Sequence, residues 1–118
     1  MYRIINKDEI HASRGDAFSI DFKIKNYTFT EDDDVKFAVF EEGSNYENPL
    51  MVKYATIDLE RNVAVFSFDA NDTSFGEAPT ERTLYVYEIS VEGDQTVLGY
   101  DTNKAKKYYQ YPAQVGDK

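Results

Sequence analysis

An antiparallel all-β sandwich of about seven to eight short strands is the fold this sequence predicts. Three observations carry that expectation. Runs of roughly four to eight residues alternate apolar and polar side chains, the period of a half-buried strand. Gly, Pro, Asn and Asp turn signals recur roughly every eight to twelve residues, and no stretch of about eleven residues keeps a helical period. The composition includes ten Tyr and eight Phe without any Trp, a bias that suits a pleated, partly buried surface. Spacing alone leaves a small barrel open beside the sandwich.

Residues 2–5 read as a short first strand that Asn6, Lys7 and Asp8 break. Residues 11–13 lead into Arg14-Gly15-Asp16. This is a turn signal, because glycine takes positive φ freely and aspartate bonds its own downstream backbone. Residues 17–24 follow as the expected central strand, with Phe18, Ile20, Phe22 and Ile24 on one face and Ala17, Ser19, Asp21 and Lys23 on the other. Residues 25–34 form a connection in which Tyr27 and Phe29 turn back to the core. Its end, Glu31-Asp32-Asp33-Asp34, is the most charged point of the chain. Residues 35–40 are a strand with Val35, Phe37 and Val39 inward, and 41–49 a loop rich in turn formers. Residues 50–55 and 63–68 are expected to pair as a hairpin through the polar segment 56–62. Residues 69–75 suit one helical turn, with Asp69 as its cap and Phe75 plugging the core. After a loop containing Gly76 and Pro79, residues 83–91 form a second strong strand with Tyr85, Tyr87, Ile89 and Val91 inward. A turn at 92–95 returns the chain through 96–100. The last strand is 108–111, which Pro112 stops, behind a basic cluster of Lys104, Lys106 and Lys107.

The 118 residues fit one domain, read as residues 1–112 with a tail at 113–118. A chain of this length buries a core without staples, and the absence of cysteine excludes disulfides, thiolate metal sites and a cysteine nucleophile. With a net charge of −9, the surface repels phosphate backbones and anionic lipid, so neither nucleic acid nor a membrane is an expected partner. There is no long apolar run and no basic-then-apolar leader. The absence of cysteine suits a reducing cytoplasm or an intracellularly assembled particle.

Catalytic constellations find little support. His11 is the only histidine, it stands beside a turn, and no Gly-x-Ser-x-Gly elbow accompanies it. The run 31–34 places neighbouring carboxylates in alternating directions, and Asp69-Ala70-Asn71-Asp72 lacks the glycine and distal glutamate of a calcium loop. With 22 acidic residues, some carboxylate pair always meets a loose glycosidase criterion. The six glycines are isolated, so no phosphate cradle forms. Arg14-Gly15-Asp16 matches the integrin-binding tripeptide, but opening a strand is a sufficient task for it. No catalytic, cofactor or metal residue is assigned. The remaining clue is tyrosine: Tyr100, Tyr108, Tyr109 and Tyr111 put more aromatic surface at the C-terminal strands than one inner face needs. Either some of these rings cover the sandwich edge, or they form the candidate interface, with protein the favoured partner and a carbohydrate platform the alternative.

Several segments together resemble a known family. Ser13-Arg14-Gly15-Asp16-Ala17-Phe18 leads into the alternation Ile20, Phe22, Ile24. Tyr27, Phe29, Asp33 or Asp34, Val35, Phe37 and Val39 follow, and later Tyr85-Val86-Tyr87-Glu88-Ile89. The pattern resembles small domains of tailed-phage and prophage structural proteins, of the upper-baseplate-protein N-terminal type and related tail or fibre domains. Glu81-Arg82-Thr83 departs from the glycine that usually precedes the late tyrosine strand, and the C-terminal segment has no counterpart. The resemblance implies an immunoglobulin-like sandwich without catalytic residues or cofactors. Such a domain attaches to other virion or tail proteins or to copies of itself.

Overall fold

A computed structural model describes residues 2–5, 9–23, 27–43, 48–91, 96–98 and 106–113. They form ten strands in chain order: β1 (Tyr2–Ile5), β2 (Glu9–Ser13), β3 (Phe18–Phe22), β4 (Val35–Glu41), β5 (Met51–Tyr54), β6 (Thr56–Asp58), β7 (Val63–Phe68), β8 (Thr83–Val91), β9 (Thr96–Leu98) and β10 (Lys106–Tyr111). No helix occurs among the described residues. The strands make two sheets, one ordered β1-β2-β10-β8-β4-β5 with β9 also on β8, the other β3-β7-β6. The sheets face each other across one core, so the all-β sandwich is observed and the barrel is not.

The alternation of β4 and β8 explains why they sit at the centre. Val35, Phe37 and Val39 on β4 and Tyr85, Tyr87, Ile89 and Val91 on β8 are all buried, and the two strands pair from Val35↔Val91 to Glu41↔Tyr85. Phe37 links the layers: its ring stacks on Tyr87 at 5.0 Å and meets Phe68 of the facing sheet edge-on at 5.1 Å. Such aromatic pairs add about 0.5–1.5 kcal/mol beyond the area they bury. Phe29 is buried and Tyr27 is exposed, so only one of the two rings expected inside enters the core. The Asn62 side chain holds that segment, accepting the Phe29 amide at 2.8 Å and donating to the Tyr27 carbonyl at 2.9 Å. Asn62 itself sits at φ 56°, a conformation asparagine tolerates better than most residues.

Four expectations change. Residues 17–24 do not form a central strand: β3 is shorter and lies at the edge of the smaller sheet, with Phe18, Ile20 and Phe22 only partly buried. Alternation with one polar face satisfies an edge strand as well as a central one. The hairpin of 50–55 with 63–68 does not form either. β5 pairs with β4, and the chain crosses between sheets at Ala55 so that β6 pairs with β7. Met51, Lys53, Ala55 and Ile57 keep one inward phase through that crossing, so the alternation gives no sign of it. β2 was read as a lead-in, because His11 and Ser13 break its apolar pattern; both are in fact buried. β6 was read as a turn. These two additions raise the strand count from about eight to ten. Beyond Ala113 the expected tail lies outside the described residues.

The Arg14-Gly15-Asp16 turn does form. Asp16 N–H donates to the Ser13 carbonyl at 3.1 Å, the Ser13 amide donates to Asp16 Oδ2 at 2.8 Å, and Gly15 has φ 90°. The turn docks on residues 69–75. Gly15 N–H donates to Thr73 Oγ1, Thr73 Oγ1–H donates to the Asp16 carbonyl, and Arg14 donates to the Phe75 carbonyl at 2.9 Å. The segment 69–75 is one turn closed reciprocally: each of Asp69 and Asp72 accepts the other's amide at 2.9 Å, the logic of a capping box.

Candidate functional site

β10 lies parallel to β2 and antiparallel to β8, with Tyr109 opposite His11 and Tyr108 opposite both Ile10 and Tyr85. Strand parity then divides the predicted tyrosines. Tyr108 points into the core with Ile10, Ala12 and Gln110, and Tyr109 and Tyr111 point to the outer face with Glu9 and His11. Tyr108 is fully buried and meets Phe75 edge-on at 5.3 Å. It is therefore a core residue, and its expected place at an exposed interface is corrected. Its hydroxyl makes no hydrogen bond to a described residue. Burial, with a smaller contribution from Asp16, pushes its ionisation well above the ordinary tyrosine value. Tyr100 lies outside the described residues.

Tyr109 and Tyr111 are half-buried on the outer face. His11 organises them. Its Nε2 is 2.8 Å from Glu9 Oε1 and its Nδ1 is 2.6 Å from the Tyr111 hydroxyl, while its ring lies 4.7 Å from that of Tyr109. A carboxylate only accepts, so Nε2 carries the proton, and in the neutral imidazole Nδ1 accepts the Tyr111 O–H. The carboxylate–imidazole–phenol chain has the connectivity of a catalytic relay. Here it joins β2 to β10. The Arg82 guanidinium stands 4.5 Å over the Tyr109 ring, covering one aromatic face.

Each acidic segment supplies carboxylates to contacts within the fold. Asp33 accepts the Tyr27 hydroxyl at 2.9 Å and the Thr30 amide at 2.8 Å. Asp72 pairs with Lys53 Nζ at 2.8 Å. Burial opposes the charge on Asp72, but the bond from Lys53 and the Asp69 amide outweigh it and hold the carboxyl below its usual value. That hydrogen bond raises Lys53 in turn.

The residues that sequence reasoning passed over are on β5, at one edge of the larger sheet among the described residues. Val52 is 40% exposed and Tyr54 51% exposed. They share the outer face, opposite Ala38 and Lys36 of β4. Ala38 and Phe40, with Val86 of β8, are a small buried cluster apart from the main core. The signal was present in the sequence, since residues 50–55 carry apolar side chains at both odd and even positions, more than a single core face uses. No family model, no curated protein and no solved structure matches the chain.

Proposed function

We propose that this chain is a non-catalytic structural module that mediates protein–protein assembly in the tail or baseplate of a phage or prophage. The observation that carries the reading is the outward pair Val52 and Tyr54 at a sheet edge. A valine and a tyrosine adjacent on one exposed face suit an interface in which aromatic residues supply contact area. Lys53 between them points inward and is held by Asp72. An inward charge on a short edge strand blunts uncontrolled edge-to-edge pairing, which favours a partner docking on the outer face. The strand order supports the immunoglobulin-like assignment: β3-β7-β6 faces β10-β8-β4-β5, in the manner of strands B-E-D facing G-F-C-C′. Of the C-terminal rings that the carbohydrate alternative needs exposed, Tyr108 is inside and Arg82 covers one face of Tyr109.

Light scattering on the purified chain, and capture with the products of neighbouring genes, test this proposal. A complex with itself or with a tail protein is expected, and Val52→Lys with Tyr54→Lys is expected to disrupt it at unchanged thermal midpoint. A strict monomer that captures no tail protein and is encoded away from tail genes overturns the proposal.

A further inference from the structure

A second surface has the chemistry to recognise a particular kind of side chain. A groove of about 540 Å³ runs between the end of β4 and the segment leading into β8. Tyr85 forms its floor and is 7% exposed. The Tyr85 ring is fixed edge-on against Phe75 at 5.0 Å. Gly76 passes so close that a Cβ there would lie 2.7 Å from the Tyr85 hydroxyl. No hydrogen bond to a described residue engages that hydroxyl, and Tyr85 and Gly76 both line the groove. Glu41 is the direct cross-strand partner of Tyr85, and Glu41, Glu77 and Glu81 all line the groove. Leu50 and Pro79 provide apolar wall. Burial pushes the Tyr85 phenol up; Arg14 opposes this and Glu41 and Glu77 add to it, so these three charges reach the floor. Arg14 is committed to the Phe75 carbonyl.

Three carboxylates lining one groove with a phenol that no described residue hydrogen-bonds call for a cation with several donors. They do not converge on a point: among the described residues no three His, Cys, Asp or Glu side chains are grouped to hold a metal ion. The occupant must spread its charge and carry an apolar stem. We propose that this groove receives an arginine side chain of a protein partner. The methylenes lie along Leu50 and Pro79, the guanidinium donates to the carboxylates, and the Tyr85 oxygen accepts a further N–H. A planar five-donor fork fits dispersed acceptors better than an ammonium does. The chain's net charge of −9 favours the approach of a basic partner. The proposal rests on reading the chain as an assembly module.

Amide chemical shifts of the ¹⁵N-labelled chain, titrated with tri-arginine amide, test it. Shifts are expected to centre on Gly76, Glu77, Glu81 and Tyr85, with tri-lysine binding more weakly and tri-glutamate not at all. Neutralising Glu77 or Glu81 to Gln is expected to weaken binding roughly two- to fivefold each, the range of an exposed pair. Tyr85→Phe should weaken it while thermal unfolding stays cooperative. Shifts spread over the acidic surface and insensitive to these variants overturn the proposal, as does an equal response to magnesium ion alone. If tri-arginine fails while Val52→Lys and Tyr54→Lys still abolish assembly, only the groove falls. If tri-arginine binds as expected but the chain is a strict monomer that captures no tail protein and is encoded away from tail genes, the groove stands and the assembly reading falls.

Discussion

At Gly76 the backbone takes φ +70° against the Tyr85 hydroxyl, so two costs meet in one residue. A side chain here is strained by its backbone and also overlaps a buried phenol. Gly76→Ala is expected to destabilise the fold by about 1–3 kcal/mol in urea titration. In a Tyr85→Phe background the overlap is gone and the penalty should shrink; an equal penalty in both backgrounds would show that the contact does not matter. Tyr108 poses the opposite case. Its buried hydroxyl has no hydrogen bond to a described residue, so Tyr108→Phe removes a desolvated polar atom without orphaning a described partner. The expected change is neutral to about 1 kcal/mol stabilising. The pH dependence has a definite sign. The folded state raises this phenol's pKa, so the folded chain keeps its proton after the unfolded chain has lost it. Stability is untouched below about pH 10 and falls above it by up to about 1.4 kcal/mol per pH unit. Urea midpoints at about pH 9 and 11 should drop less in Tyr108→Phe than in the parent. An identical drop in both would assign the alkaline sensitivity to other groups.

Between residue and fold stand the elements, and here the turn at Arg14-Gly15-Asp16 is instructive. Sequence chemistry identified it as a strand opener, but the residue that secures it is remote. Thr73 is fully buried, and its hydroxyl accepts from Gly15 and donates to the Asp16 carbonyl at 2.8 Å. Thr73→Val keeps the shape and orphans both backbone groups, at an expected cost of about 1–3 kcal/mol; Thr73→Ser should recover most of it. A Val variant as stable as the parent would mean that water replaces the hydroxyl freely. The same contrast governs what was legible beforehand. β4, β7 and β8 were readable because their alternation continues through the residues that enter the core. β2 was not, because His11 and Ser13 are buried on its other face. β6 was hidden by a crossing that preserves the phase from Met51 to Ile57. The tyrosine interface was half legible. Composition pointed to the C-terminal strand, but parity sends Tyr108 inward and Tyr109 outward, and only the register with β2 and β8 decides which is which. The groove was beyond reach, since Glu41, Glu77 and Tyr85 meet only through the β4–β8 ladder and the loop before β8.

For the whole molecule, the decisive contact closes the chain on itself. β10 fills the space between β2 and β8, so the larger sheet stays open until the last strand arrives. His11 and Tyr111, joined by a hydrogen bond, are 100 residues apart in sequence. Gln110 Nε2 reaches from the same strand to the Thr73 and Phe75 carbonyls at 3.0 and 3.1 Å, tying the final strand to the turn that also holds Arg14. Non-local pairing of this kind is slow, because loop-closure entropy is spent before contacts reward it. It also makes the fold depend on its final segment. A chain lacking residues 106–118 loses Tyr108 from the core and leaves β2 and β8 with unpaired facing edges. Such a chain is expected to show no cooperative thermal transition and no near-ultraviolet dichroism from its packed aromatics. Adding a synthetic peptide of residues 106–113 should restore part of both signals, because an extended peptide can complete a sheet through main-chain hydrogen bonds. If the shortened chain still melts cooperatively at the parent temperature, β10 is an accessory, and the closure of the sandwich belongs to β4 and β8 alone.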